Sequence, residues 1–243
     1  MNLDPYQIGL AIVFMAAGTA VQASIGFGLA LVAAPMLYLV EPSLIPGPII
    51  ACAFLLSIWV VWQERQAVDY SHFIEAVAGR LIGSPLGALV IGSLTATTFD
   101  IVFGILVLLA VGLSLMHGNI EPTRRNVFFG TMASGFMGTI SSIGGPPIAL
   151  VYQNRSGASL RGNLSLMFLI GTFISLVSLG FVGRFGLSDI AHTGLLFAGV
   201  VIGVICSAPL KRRLDKRKAR PFLLGLCALS ACSVLIQALY RLI

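Results

Sequence analysis

The chain has 243 residues, of which 57% are hydrophobic and only 10% are charged, a balance that excludes an ordinary water-soluble domain of this size. Its net charge of +6 would suit nucleic acid, yet seven of the fifteen basic residues fall in one segment, Lys211–Arg220. That cluster reads instead as a topology signal, or as a patch for anionic lipid headgroups, so no nucleic-acid partner is expected.

Taken from the N-terminus, Asp4 precedes the first apolar run without a basic stretch, so no cleaved signal peptide is expected. Residues 5 to 40 are then uncharged between Asp4 and Glu41. Thirty-six such residues are too many for one crossing of a hydrocarbon core of about 30 Å and too few for two. They predict a helical hairpin over 6–40 that enters the membrane, breaks in the middle and returns. Plain apolar spans follow near 44–62, 73–92 and 98–117. Residues 126 to 154 form a second long uncharged stretch, between Arg125 and Arg155, and predict a second re-entrant hairpin. Three more spans follow near 162–183, 189–209 and 221–240. Cys52, Cys206, Cys227 and Cys232 all lie inside these spans and read as small buried hydrophobes, with no metal or disulfide spacing.

The positive charges choose between this scheme and eight single crossings. Single crossings would spread them over both sides. The hairpin scheme gathers Arg65, Arg124, Arg125, Arg155, Arg161 and the cluster on one side and leaves Arg184 and Arg241 on the other. By the positive-inside rule both termini then lie outside the inner membrane.

The fold class expected is thus an all-α polytopic membrane protein of two inverted repeats, residues 1–120 and 121–243, each a broken hairpin plus three spans. Echoes in order support the repeat: Ser24-Ile25-Gly26 with Ser142-Ile143-Gly144, Gly79 and Gly83 with Gly199 and Gly203, and Gly104 with Gly225. Gly79, Gly83 and Gly87, like Gly199, Gly203 and Ser207, are small residues every fourth position and let helices approach closely. Inverted repeats with broken helices are a mark of secondary transporters.

Each break is expected to start a new helix inside the membrane, because glycine permits the turn and proline suits a first helical turn. The exposed N–H groups and partial positive charge of such a terminus suit a small anion. The hydroxyls of Ser24, Ser141 and Ser142 would add donors and Phe27 an apolar wall. Arg80, about 10 Å into its span at 1.5 Å per residue, is either a counter-charge for substrate or a snorkelling residue. Glu75, Asp100, Asp189, His72 and His192 lie near span ends and are expected at the interface, with Trp59 and Trp62 in an aromatic belt. No HExxH, no GxSxG and no phosphate-binding loop with its lysine occurs, so no enzyme, metal or cofactor is expected.

Gly18 to Leu37, with Gly26-Phe27-Gly28 leading to Pro35, and Gly135 to Gln153, with Gly144-Gly145-Pro146-Pro147, resemble the sulfite exporter TauE/SafE family, also called the toluene sulfonate uptake permease family. The resemblance covers nearly the whole chain. It implies a transporter that moves sulfite, a sulfonate or a related sulfur compound, with the site lined by Ser24, Gly26, Phe27, Gly28, Ser141, Ser142, Gly144, Gly145 and Pro146. This chain has only two glycines in its first motif, where some members have a longer run. An anion channel or an intramembrane enzyme are the competing readings. The partners expected are a small anionic substrate and the lipid bilayer, and a homodimer is compatible with both.

Overall fold

The computed structural model describes residues 3–116, 120–213, 224–225 and 227–236. The helices are α1 (Pro5–Ile25), α2 (Leu29–Val40), α3 (Gly47–Glu64), α4 (Phe73–Ser93), α5 (Ala96–Leu115), α6 (Arg124–Ser141), α7 (Gly145–Val151), α8 (Gly157–Phe181) and α9 (Leu187–Arg213). A shorter apolar helix, α10, runs over Cys227–Ile236. No strand occurs among the described residues. Among the described residues, six helices are long and apolar enough to cross a membrane: α1, the Pro42–Ala67 segment around α3, α4, α5, α8 and Leu187–Ala208 of α9. Both ends of the predicted span 221–240, Arg241 and the side chains of the 211–220 cluster lie outside the described residues.

Local chemistry sets the helix starts. Asp4 caps α1, accepting from the Gln7 amide at 2.7 Å while the Gln7 side chain accepts from the Asp4 amide at 3.1 Å, with Pro5 at the first helical position. Thr95 caps α5 and Thr123 caps α6 in the same way, each accepting at 3.3 Å. Large apolar side chains face outward, Leu89 at 62% and Ile205 at 68% exposure, while Arg80, Ser84, Ser134 and Thr139 are buried. That inversion suits a lipid solvent.

Both long uncharged stretches are hairpins. The Gln7 side chain at the start of α1 donates to the Val40 carbonyl at the end of α2 (3.5 Å), so residues 5–40 begin and end at one end of the bundle. Arg124 at the start of α6 pairs with Glu75, and Arg155 after α7 pairs with Asp69, both at 3.4 Å. Residues 124–155 therefore leave and return at the end of the bundle where α3 gives way to α4. Arg161 joins the same end, its Nε and Nη2 donating to Glu64 Oε1 at 2.8 and 2.6 Å. Arg65, Arg124, Arg155 and Arg161 thus share one end, while Arg184 donates to the Leu94 carbonyl at the other. At the basic end Ser71 hydrogen bonds, with help from Arg155, hold the Asp69 carboxyl below its ordinary value of 3.8.

The first hairpin departs from expectation in one respect. α1 is unbroken for 21 residues, about 31 Å, enough to cross a hydrocarbon core alone. The break comes at its far end, where Gly26 lies against the backbone of Arg161 in the second turn of α8. Nothing between Pro5 and Ile25 stops a helix. Gly26 (φ 108°) and Gly28 (φ 119°) do, since side chains with a Cβ rarely adopt that left-handed backbone. The second break, residues 142–144, sits toward the other end, with the Ser142 hydroxyl donating to the Pro46 carbonyl just before α3 (3.1 Å).

Two further charged residues are drawn into the bundle. Asp100 near the start of α5 does not face outward: it is 6% exposed and accepts from the Tyr38 hydroxyl, whose ring stacks on Phe103 at 4.6 Å. Arg161, placed in a loop by its charge, lies within α8, which starts at Gly157 rather than 162 because pairing with Glu64 lets a charged residue enter the bundle.

Glycine contacts fix how the helices cross. A Cβ at Gly79 or Gly83 would overlap the Phe128 or Met132 carbonyl of α6, and one at Gly87 would lie 2.7 Å from the Phe136 carbonyl. On α9, a Cβ at Gly199 or Gly203 would lie 2.6 or 2.5 Å from the Ile12 or Ala16 carbonyl of α1. Each long hairpin helix is thereby clasped by a helix from the other half of the chain, backbone on backbone.

Candidate functional site

Between the two breaks lies a cavity of about 40 Å³. One water needs about 10–15 Å³ on this measure, so the space suits a few waters or one compact ion. Its walls come from both hairpins (Gln22, Phe27, Gly28, Ala30, Leu31, Gly138, Ser142, Ile143, Gly144, Gly145), from α3 (Ile50, Ala53), from α4 (Arg80) and from α8 (Phe168, Thr172, Ser175). The breaks touch here: a Cβ at Gly145 would lie 3.4 Å from Phe27 Cδ2. No carboxylate is among the lining residues.

Arg80 dominates the electrostatics. It is 3% exposed, so it does not snorkel. Its guanidinium lies against Gly171, where a Cβ would collide with the guanidinium carbon. Arg80 Nη2 donates to Ser134 Oγ at 2.7 Å, and Ser134 Oγ donates in turn to the Gly144 carbonyl, tying the charge to the second break. Nε has no partner, and no carboxylate pairs with Arg80 among the described residues. Taking a cation out of water costs several kcal/mol unless something compensates, so a lone buried guanidinium on a cavity wall calls for an anion.

The helix N-termini do not contribute equally. In α7 the second and third residues are Pro146 and Pro147, which have no N–H, and α7 is only seven residues long. That terminus therefore offers an anion fewer amides than an ordinary helix start, those of Gly144 and Gly145 remaining. In α2 the first amide, Leu29 N, is taken by Gln22 Oε1 at 3.2 Å. The next two, Ala30 and Leu31, belong to a first turn whose amides have no intrahelical acceptor, and both residues border the cavity. Gln22 itself is 4% exposed, and its Nε2 is without a partner.

Of the residues proposed from sequence, Phe27, Gly28, Arg80, Ser142, Gly144 and Gly145 line the cavity. Ser24, Gly26, Ser141 and Pro146 do not. Ser24 donates to the Ala20 carbonyl and Ser141 to the Met137 carbonyl, each one turn back on its own helix, as buried serines in helices commonly do. Gly26 lies against α8, and Pro146 is buried without lining the cavity. The Ser142 hydroxyl is already spent on the Pro46 carbonyl.

Sequence reasoning missed Gln22 and the whole α8 wall. For α8 the signal was present: Phe168, Thr172 and Ser175 recur at helical spacing beside Gly171, and so mark one face. Behind this wall Ser175 bonds to Thr139 (2.7 Å) and Ser84 (3.1 Å), joining α8, α6 and α4 through hydroxyls. Ile50 and Ala53 of α3 carry no such mark, being apolar residues in an apolar span.

Among known proteins, the family model described as sulfite exporter TauE/SafE matches residues 10–234. No curated protein and no solved structure matches the chain. A match of that extent takes in both hairpins, the Arg80 wall and the α8 wall together, and the chain belongs to the sulfite exporter TauE/SafE family.

Proposed function

We propose that the protein is a secondary transporter, not an enzyme, for a small sulfur oxyanion such as sulfite or a sulfonate. The observation that carries this reading is Arg80, a buried guanidinium without a carboxylate partner among the described residues, on the wall of a cavity lined by no acidic residue. Family membership supplies the substrate chemistry. The anion would rest between the two breaks, exchanging water for the guanidinium, the first-turn amides of α2 and the apolar rings of Phe27 and Phe168.

The reciprocal clasp of α6 by α4 and of α1 by α9 supports two inverted repeats, with access alternating as one half rocks against the other. The gathering of Arg65, Arg124, Arg155 and Arg161 at one end supports a cytoplasmic position for that end in a cell inner membrane, with both termini outside. On this reading the Glu64–Arg161 pair closes the cytoplasmic path beneath Phe27.

Proteoliposomes test the proposal. Sulfite preloaded inside should accelerate uptake of labelled sulfite, with a rate that saturates, and Arg80→Met should remove the acceleration. Flux that rises linearly with concentration would point to a channel. Unimpaired counterflow by the Arg80→Met protein would defeat the assignment.

A further inference from the structure

Resting on that reading, we infer that Gln22 is the residue by which the site prefers a three-oxygen head on one centre, such as sulfite, to a planar carboxylate. The side chain is 4% exposed and borders the same cavity as Arg80. Its orientation is not free. Leu29 N donates to Gln22 Oε1 at 3.2 Å, and turning the amide over would set two donors against each other. The terminal NH₂ is therefore held as a donor, on a side chain that lines the cavity, and it has no partner.

A buried N–H without an acceptor is costly, and Arg80 Nε repeats that cost from another helix on the same small space. Two unsatisfied donors on different walls, together with the Ala30 and Leu31 amides of α2, ask for a ligand that presents acceptors in several directions. A pyramidal or tetrahedral oxyanion does so. A carboxylate has two oxygens in one plane, and satisfying the guanidinium with both leaves the Gln22 NH₂ unmet. Gln22 thus links recognition to the fold: the same amide that caps α2 reads the ligand.

The two roles separate by substitution. Gln22→Glu keeps an oxygen for Leu29 N but replaces the NH₂ donor with an acceptor. Gln22→Met removes the donor and the acceptor for Leu29 N together, without adding charge, so its acetate affinity and melting temperature report the loss of the α2 contact. The full-length chain, purified in detergent, would be titrated with sodium sulfite and with sodium acetate at constant ionic strength, and dissociation constants read from thermal shifts. Gln22→Met should weaken sulfite at least about tenfold, the loss expected for one hydrogen bond to a charged group, and acetate by less than about threefold. Gln22→Glu should abolish the sulfite shift while melting like the parent in chloride. A Gln22→Met protein that binds sulfite as the parent does, with the parent's preference over acetate, would overturn the inference. Arg80→Met, run alongside, keeps the two questions apart. If it alone loses sulfite, the transport site stands without Gln22; if it binds sulfite normally, the site itself is misassigned.

Discussion

Gly171 shows how much the site depends on a missing side chain. Arg80 can lie flat on α8 only because position 171 has no Cβ, and the guanidinium occupies the place one would take. Gly171→Ala must push the charge off the wall and break its 2.7 Å bond to Ser134. Loss of a charge-assisted contact of this kind is worth about 1.5–3 kcal/mol, so sulfite affinity should fall at least about tenfold by titration. Gly180→Ala, on the same helix with open space around it, should bind as the parent does; equal affinity in both variants would show that Arg80 does not read the anion. The same glycine explains why Arg80 was readable in sequence as either snorkelling or functional. Its depth in the span followed from counting residues, but the direction of its side chain depended on a gap ninety-one positions away, which no local pattern records.

At the scale of elements, the hairpins, the spans and their glycine stripes were legible, because charge spacing and four-residue small-residue periods are local signals. Five of the predicted spans reappear as α3, α4, α5, α8 and α9 within five residues. What was not legible was how far along the bundle each hairpin reaches. Gly26 and Gly28 announced a break, but depth depends on which helix receives it, and Gly26 is received by the second turn of α8. The prolines of α7 pull in two directions. Pro146 and Pro147 favour a helix start and, by the same ring closure, delete the amides that would bind an anion. The stripes themselves make a prediction. Gly83 meets the Met132 carbonyl with no room for a methyl, so Gly83→Ala should force α4 and α6 apart and cost about 1–3 kcal/mol, as overpacking does. Gly194→Ala on α9, with nothing within 4 Å, should leave the melting temperature unchanged or raise it slightly. A Gly83→Ala protein as stable as its parent would mean that the α4–α6 crossing is not tight.

Over the whole molecule, the ion pairs make one end of the bundle a network: Glu64 to Arg161, Asp69 to Arg155 and Glu75 to Arg124. These tie the α3–α4 connection to the start of α6 and to the turn between α7 and α8. Single cysteines placed at Tyr70 and Gly157 in a cysteine-free chain should therefore react with an impermeant reagent from the same membrane face, and one at Tyr6 from the opposite face. Labelling of positions 70 and 157 from different faces would require α6 and α7 to cross the bilayer as a unit, contrary to the hairpin.

The crossed glycine contacts also bear on how the protein is made. α1 leaves the ribosome well before the α9 backbone that fills its groove, with α2 to α8 made in between. Until then the Ile12 and Ala16 carbonyls lack the α9 backbone that packs on them. Neither half is a self-sufficient product, so a gene cut between α5 and α6 should yield pieces that accumulate only when both are supplied to the same cell.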